Sequence, residues 1–193
     1  MIIGITGGTG CGKTTLLQTI ADLGGLILDC DAIYHGLLQT DTALLHAIET
    51  RFPGTVKNGQ LQRKKLGAIV FNDETALADL NSITHSAIKR EIEKRLEMNP
   101  SLAAIDAIAL FESGLDCLCH VTVAVTAPEE IRIKRLMQRD GITEEYAKLR
   151  IHAQHDEAWF RERCDYTLVN DGSVADFLVK CVAFLRQIGI INP

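Results

Sequence analysis

Short apolar runs alternate with amphipathic stretches along this chain. Five runs predict buried strands, at residues 2–5, 26–28, 102–110, 121–125 and 166–169. Strand signals are scarce from about residue 32 to residue 100, and within that region residues 73–96 place apolar side chains at helical spacing. This alternation favours an α/β fold in which a mostly parallel β-sheet is flanked by helices and carries a helical insertion after its second strand.

A glycine-rich turn lies between the first predicted strand and a predicted helix. The turn, GGTGCGKT, matches the pattern GxxxxGK[ST] at Gly7, Gly12, Lys13 and Thr14. In this context the pattern is typical of a phosphate-binding loop, because glycines let backbone N–H groups approach a phosphate and the helix adds its positive dipole end. Lys13 would supply a cation for the terminal phosphates, and Thr14 a hydroxyl for Mg²⁺. We therefore predict a P-loop NTPase fold that binds a nucleoside triphosphate, rather than a glycine turn that binds nothing.

Composition narrows the class of protein. A chain of 193 residues is long enough for one well-buried domain, and its net charge of −5 argues against a large nucleic-acid surface. We find no run of membrane-spanning length and no signal-like basic N-terminus. We therefore expect a cytoplasmic protein, monomeric or weakly homo-oligomeric, without nucleic-acid or membrane partners.

The six cysteines are scattered and form no CxxC pair. Cys117 and Cys119 lie beside His120, but the second ligand pair that a zinc site needs is missing from the sequence. Thiols buried beside a strand are the favoured interpretation, and we infer no role for Cys11 inside the glycine-rich turn.

Two acidic residues follow the second predicted strand. Asp29 and Asp31 should project toward the nucleotide, because ligands bind at the carboxyl ends of parallel strands. A carboxylate at this edge can accept a proton from an attacking hydroxyl, or hold Mg²⁺ through water. The alternatives are a helix N-cap for Asp31 and a buried structural acid for Asp29.

Two further acids bracket an apolar stretch near the third predicted strand. They are Asp106 and Glu112, and we find no run of four apolar residues that ends cleanly in an aspartate here, as a Walker-B motif requires. Glu112 should emerge at the ligand edge as a candidate for binding an acceptor or a metal. A carboxylate at the start of a helix is the equally weighted alternative.

Three arginines share one face of the helix predicted after the fourth strand. Arg132, Arg135 and Arg139 are spaced by three and four residues. A solvated stripe is the default interpretation of such a face. At this place in a phosphate-loop fold, however, small-molecule kinases carry a mobile lid whose arginines close over the transferred phosphate, which favours the functional interpretation.

With these motifs in place, the chain resembles the dephospho-CoA kinase family over nearly its whole length. The resemblance is carried by GITGGTGCGKTT, LDCDAIYH, NGQLQRKKLGAIVF, LNSITH, DAIALFESGL, RLMQRDGITEEYAKLRIHAQ and CDYTLVNDG. It implies transfer of the ATP γ-phosphate to the ribose 3′-hydroxyl of dephospho-CoA, the last step of coenzyme A biosynthesis. It also implies one domain over residues 1–193, with a nucleotide-binding core (1–31, 101–128 and 164–193), a helical acceptor-binding insertion (32–100) and a lid (129–163).

The resemblance further implies roles for individual residues. The catalytic residues are Asp31 as general base, Lys13 and Arg139. The ATP-binding residues are Gly8, Thr9, Gly10, Cys11, Gly12, Lys13, Thr14, Thr15, Arg139, Asn170 and Gly172, with Mg²⁺ as cofactor on Thr14. The acceptor-binding residues are Asp31, Arg63, His85 and Glu112.

The chain departs from the family pattern at several positions. Ser86 and Ile108 stand where the family usually has proline, and Phe160 stands where it usually has lysine, with Arg161 beside it as a substitute cation. These departures concern the acceptor and lid more than phosphoryl transfer. They leave two alternatives open: a related kinase for another nucleoside, nucleotide or sugar hydroxyl, and a nucleotide-dependent switch, although the chain lacks the NKxD motif of GTP-specific switches.

Overall fold

The computed structural model describes residues 1–192. Within it the chain forms two compact units. The first comprises Met1–Ile27 together with the chain from Pro100 onward, and the second comprises Leu28–Asn99. The predicted strand and helix signals account for both units: parallel strands in the first, and helices with one short hairpin in the second.

Seven strands form two sheets among the described residues. They are β1 (Ile2–Thr6), β2 (Leu26–Asp29), β3 (Val56–Lys57), β4 (Gln60–Leu61), β5 (Ala103–Asp106), β6 (Val121–Thr126) and β7 (Tyr166–Val169). The larger sheet has the order β2-β5-β1-β6-β7, and β1 pairs in parallel with both β5 and β6, as β6 does with β7. The predicted parallel sheet is therefore confirmed, and every residue of β6 is buried, as expected for a strand covered on both faces.

The described residues also form nine α-helices. They are α1 (Lys13–Asp22), α2 (Cys30–Thr40), α3 (Thr42–Arg51), α4 (Arg63–Val70), α5 (Glu74–Leu96), α6 (Glu129–Asp140), α7 (Glu144–His152), α8 (Glu157–Arg163) and α9 (Val174–Gln187), with a 3₁₀ turn at Asp116–Leu118. Helix α5 confirms the periodicity of residues 73–96. In residues 1–192, none of these helices is both long and apolar enough to cross a membrane.

The third predicted strand, residues 102–110, is too long by several residues. Strand β5 ends at Asp106, and the chain then turns, with the Ser113 N–H donating to the Ala109 carbonyl at 3.0 Å. Ala107 and Leu110 are buried in these turns. Burial alone explains their apolar character, because a short apolar run does not distinguish a strand from another buried conformation.

Each unit has its own apolar core. In the first unit, Leu16 and Ile20 of α1 and Phe177 and Phe184 of α9 pack with the buried strand residues of the sheet. In the second unit, the helices bury a separate cluster that consists of Leu38, Leu44, Leu45, Ile48, Phe52, Leu66, Val70, Ala76 and Ala87. Burial of apolar surface on this scale is the main favourable contribution to folding of both units.

Candidate active site

The glycine-rich turn connects β1 to α1 with a backbone that only glycine allows at two points. Gly7 has φ 132°, and a Cβ there would lie 2.1 Å from the Val125 carbonyl oxygen. Gly12 is the N-cap of α1 with φ 89°, and a Cβ there would lie 2.3 Å from Asn170 Nδ2. Because Gly12 also has no side chain to cap the helix, the first N–H groups of α1 remain suited to an anion.

Lys13, the first residue of α1, lies over the turn with an acidic neighbour. Its Nζ donates to the Gly7 carbonyl at 2.9 Å and lies 3.9 Å from Asp106 Oδ1. The two charged side chains are only 14% and 19% exposed, so their attraction is screened less than at the surface. The ammonium is therefore held at the loop, beside the start of α1.

Asp106 lies in the candidate site, although it was not among the residues predicted for it. It ends β5, which neighbours β1 in the sheet, so the fold brings its carboxylate to the Lys13 ammonium. The signal was present in the sequence, since four apolar residues, 102–105, directly precede it. The expectation that no apolar run ends cleanly at an aspartate was wrong, because the strand was predicted to continue beyond this residue.

Thr9 of the turn is held from both sides of its backbone. Its N–H donates to Gln154 Oε1 at 2.7 Å, and its carbonyl accepts from Arg132 Nε at 2.9 Å. Arg132 is 8% exposed, and its Nη2 lies 3.4 Å from the same Gln154 oxygen. The Thr9 N–H is therefore engaged inside the protein and is not directed to a phosphate in this conformation.

Arg135 and Asn170 hold the next part of the turn. Arg135 Nη1 donates to the Gly10 and Cys11 carbonyls at 3.4 and 3.3 Å, and its Nη2 donates to Asn170 Oδ1 at 3.0 Å. Asn170 Nδ2 donates to the Cys11 carbonyl at 2.9 Å. The buried Asn170 amide thus stabilises the loop, and the solvated-stripe interpretation is wrong for Arg132 and Arg135.

Arg139, one helical turn beyond Arg135, is largely exposed and contacts an acid instead of the loop. Its guanidinium donates to both Asp140 oxygens at 2.7 and 3.0 Å, and Arg150 donates to the same carboxylate at 2.5 Å. These hydrogen bonds lower the Asp140 pKa to about 2, with the bond from Arg139 as the largest cause. In this structure the third arginine of the face is therefore bound at the end of α6.

Glu112 lines a cavity of about 320 Å³ in the first unit, together with Ile108, Gln154, His155 and Phe160. Glu112 Oε1 lies 2.9 Å from His155 Nε2. Since Gln154 also contacts the phosphate-binding turn, this cavity adjoins the predicted nucleotide site. The turns after β5 that contradict the long third strand are what bring Glu112 here.

Two of the departures from the family pattern shape this cavity. Ile108 is partly exposed on its wall, and Phe160 is 2% exposed. Arg161, the suggested substitute cation, pairs instead with Glu157 on the surface of α8. The wall is therefore apolar at the position where the resemblance implies a lysine.

In the second unit, Asp29 at the end of β2 and Asp31 after it have different roles. Asp29 is the N-cap of α2, where its Oδ1 accepts from the Ala32 N–H at 3.0 Å. Asp31 is exposed in the first turn of the same helix. The N-cap alternative for Asp31 and the buried-acid alternative for Asp29 are both wrong, which leaves the Asp31 carboxylate accessible.

The other acceptor-side residues of the second unit lie on α4 and α5. Arg63 begins α4, and its Nη2 lies 3.2 Å from His35 Nδ1. His85 is half-buried on α5, where the neighbouring Ser86 donates its hydroxyl to the Ser82 carbonyl at 2.8 Å. A serine at this position is therefore accommodated inside the helix, where a proline would have removed a backbone donor.

The segment after β7 contains Asn170 and Gly172, which the resemblance assigns to ATP. A Cβ on Gly172 would lie 3.0 Å from Asp176 Oδ2, whose carboxylate accepts from the N–H and hydroxyl of Ser173 at the start of α9. Gly172 thus allows a close approach between this loop and the helix cap.

Of the two cysteines beside His120, Cys117 is exposed, so the buried-thiol interpretation is wrong for it, whereas Cys119 is half-buried and its Sγ donates to the Leu115 carbonyl at 3.4 Å. His120 Nδ1 accepts from the Ile2 N–H at 3.0 Å, and burial raises the pKa of Cys119 to about 12. Burial also raises the pKa of Cys11, against the nearby charge of Arg132. Across residues 1–192 we find no group of three histidine, cysteine or acidic side chains placed to hold a metal ion.

The chain is similar to known proteins over most of its length. The dephospho-CoA kinase family model matches residues 1–176. A dephospho-CoA kinase of Corynebacterium diphtheriae is 36% identical over 89% of each chain. Among solved structures, TT1252 from Thermus thermophilus is similar at a TM-score of 0.81 with 32% identity, covering 97% of both chains. A dephospho-CoA kinase from Campylobacter jejuni is similar at 0.68 with 30% identity, covering 97% of this chain and 96% of that one.

Proposed function

The chain belongs to the dephospho-CoA kinase family, and from this premise we propose how its residues transfer a phosphoryl group from ATP to dephospho-CoA. The activity, ATP-dependent phosphorylation of dephospho-CoA in coenzyme A biosynthesis, follows from the family match and the like-named relatives. We infer that the ribose 3′-hydroxyl is the acceptor atom, so that coenzyme A and ADP are the products. The observation that carries the proposal is the glycine loop with Lys13 and Asp106 beside it.

Lys13 and the loop N–H groups would hold the β- and γ-phosphates. Phosphoryl transfer needs positioning and charge stabilisation more than covalent help from the protein. The groups suited to this task are the N–H groups of Gly10 and Gly12 and those of the first turn of α1. Thr9 would contribute by shaping the loop, since its own N–H is bound to Gln154.

Oxygen donors at this site fit Mg²⁺. Magnesium prefers oxygen ligands, and the first turn of α1 supplies the Thr14 hydroxyl while β5 supplies the Asp106 carboxylate. We propose that these two residues hold the ion. When bound, Mg²⁺ supplies positive charge against the β- and γ-phosphate oxygens.

Asp31 would act as the general base. Its accessible carboxylate follows the carboxyl end of β2 by two residues, where ligands of parallel α/β sheets bind. It would orient the acceptor hydroxyl and accept its proton during transfer. Arg63, His85 and Glu112 would bind the remaining parts of dephospho-CoA.

Arg139 would stabilise charge on the transferred phosphate. Its guanidinium now donates to Asp140, and an exposed pair of this kind costs little to exchange for phosphate oxygens. On the adenine side, the Asn170 amide is engaged with the loop. Contacts to the base would therefore come from the backbone between Asn170 and Gly172.

We further propose a cytoplasmic, monomeric or weakly associating enzyme without nucleic-acid or membrane partners. The net charge of −5 supports the absence of a large nucleic-acid surface. Elution volume in size-exclusion chromatography tests the oligomeric state, and a tight dimer at micromolar concentration would contradict it.

The test of the proposed function is product formation with purified protein and Mg-ATP. We expect saturable ADP release and formation of coenzyme A with dephospho-CoA as acceptor. Adenosine, nucleoside monophosphates and pantothenate serve as comparison acceptors, for which we expect little release. Phosphorylation of another acceptor in preference to dephospho-CoA would overturn the substrate assignment and point to Ser86 and Ile108.

A further inference from the structure

Gln154 and His155 are adjacent in sequence, yet they hold two different parts of the first unit. Gln154 Oε1 accepts from the Thr9 N–H of the phosphate-binding loop at 2.7 Å. His155 Nε2 lies 2.9 Å from Glu112 Oε1 on the cavity wall. Because consecutive Cα atoms are fixed about 3.8 Å apart, a shift of one of these two residues displaces the other.

His155 is fixed by an aromatic neighbour as well as by Glu112. Its ring stacks on Trp159 with centroids 3.8 Å apart and an interplanar angle of 4°. The Arg163 guanidinium lies 4.2 Å from the centroid of the same indole. The His155 ring and the Arg163 guanidinium thus both pack on Trp159, which supports the His155 ring.

Gln154 is fixed just as firmly at the loop. The Arg132 guanidinium donates to the Thr9 carbonyl at 2.9 Å and lies 3.4 Å from Gln154 Oε1. A nucleotide that shifts the loop backbone therefore acts on Gln154 directly. In the same way, a ligand that engages Glu112 acts on His155, because a carboxylate has a second oxygen for that ligand.

We propose that Gln154 and His155 are positioning residues that couple the two substrates, so that a ligand at Glu112 and a nucleotide at the loop tighten each other's binding. The acceptor half of this inference rests on the proposed function, specifically on the role of Glu112. The expected direction follows from the shared segment: the first ligand fixes Gln154 and His155 in the arrangement that the second ligand also requires, so the second ligand binds without moving them. The coupling is reciprocal by thermodynamic linkage.

The first test uses Trp159, which is the single tryptophan of the chain. We expect a non-hydrolysable ATP analogue with Mg²⁺ to change its fluorescence through the stack of Trp159 on His155. Gln154→Leu should abolish the change while calorimetry still detects nucleotide binding. Gln154→Glu, whose carboxylate can accept from the Thr9 N–H, should keep the fluorescence change. No change in the parent, or an undiminished change in Gln154→Leu, would overturn the proposal.

The second test measures the coupling itself. The dissociation constant of the ATP analogue is determined by calorimetry with and without saturating dephospho-CoA, and we expect a tightening of about 5-fold or more. His155→Phe keeps a ring for Trp159 to stack on but cannot bond Glu112, and it should reduce the factor to below about 2-fold. Glu129→Gln, which replaces the carboxylate that contacts His152 at the end of α7, is the matched control and should keep the parent factor. An unchanged factor in His155→Phe would overturn the coupling.

The two tests separate failure of this inference from failure of the proposed function. The fluorescence response to nucleotide needs no acceptor, so it tests the connection from Thr9 to Trp159 whatever the acceptor is. If dephospho-CoA is not a substrate, product formation fails while the fluorescence response remains. If only the coupling is wrong, coenzyme A still forms and His155→Phe shows the parent factor.

Discussion

The phosphate-binding loop and the acceptor-side residues are built in opposite ways. The loop is held through its backbone, by contacts from Arg132, Arg135, Gln154 and Asn170 that are largely buried. The proposed acceptor residues instead present side chains at helix surfaces or on a cavity wall, as Asp31 does in the first turn of α2. The proposed nucleotide site is therefore specified by backbone geometry, and the proposed acceptor site by side-chain chemistry. Mutations should affect the two regions differently.

The largest effect is expected on the acceptor side, from Asp31→Asn. Loss of a general base lowers turnover by about 10²- to 10⁴-fold, whereas the affinity for nucleotide should stay within about 2-fold because the loop is untouched. Steady-state ADP release and calorimetry of an ATP analogue measure the two quantities. Asp41→Asn, which keeps an N-cap side chain on α3, is the matched control. Normal turnover in Asp31→Asn would remove the base assignment.

The next largest effect on turnover is expected from Lys13→Met, which tests the proposed nucleotide site. Removing one preorganised charge from the phosphates should reduce turnover by about 10²- to 10³-fold. Lys148→Met, which breaks the Lys148–Glu144 pair on the surface of α7, should stay near the parent rate. The same assay measures both variants. If Lys13→Met retained more than a tenth of the parent rate, its proposed contact with the terminal phosphates would be wrong.

A smaller effect is expected when a loop support is removed without touching a phosphate contact. Asn170→Ala removes the buried amide that donates to the Cys11 carbonyl and accepts from Arg135, which should lower the free energy of unfolding by about 1–3 kcal/mol and weaken nucleotide binding. Asn72→Ala removes an exposed bond to the Ala68 carbonyl and should change stability by less than about 0.5 kcal/mol. Chemical denaturation measures both. Equal effects of the two variants would contradict the supporting role of Asn170.

The smallest effect is expected in the pH dependence of stability that Asp140 contributes. Its pKa is lowered to about 2 in the folded protein, chiefly by the hydrogen bond from Arg139. A lowered folded-state pKa means that the contribution to stability is full above about pH 4, the ordinary value of aspartate, and is lost as the pH falls toward 2. The stability difference between parent and Asp140→Asn should therefore shrink over this range. NMR can follow the titration of the Asp140 carboxyl. A titration midpoint near pH 4 would contradict the lowered pKa.

Most of the fold and the centre of the candidate site could be predicted from local sequence. The motif spacing and its strand–turn–helix context predicted the loop at Gly7–Thr14, because phosphate binding requires glycines at fixed positions next to a helix N-terminus. The parallel sheet followed from alternating strands and helices, and the helix of residues 73–96 followed from its periodicity. The end of β5 was predicted wrongly, since buried turns and buried strands have the same apolar composition.

Only the tertiary structure decided which residues far apart in sequence contact each other. Asp106 reaches Lys13 because β5 and β1 are neighbours in the sheet, and Gln154 reaches Thr9 across 145 positions. The sequence by itself determined the loop, the family and the residue types available for phosphoryl transfer, because these depend on local spacing. Hydrogen bonds such as those of Arg132 and Asn170 depend on which elements become neighbours, and local spacing predicts only which face of an element is buried.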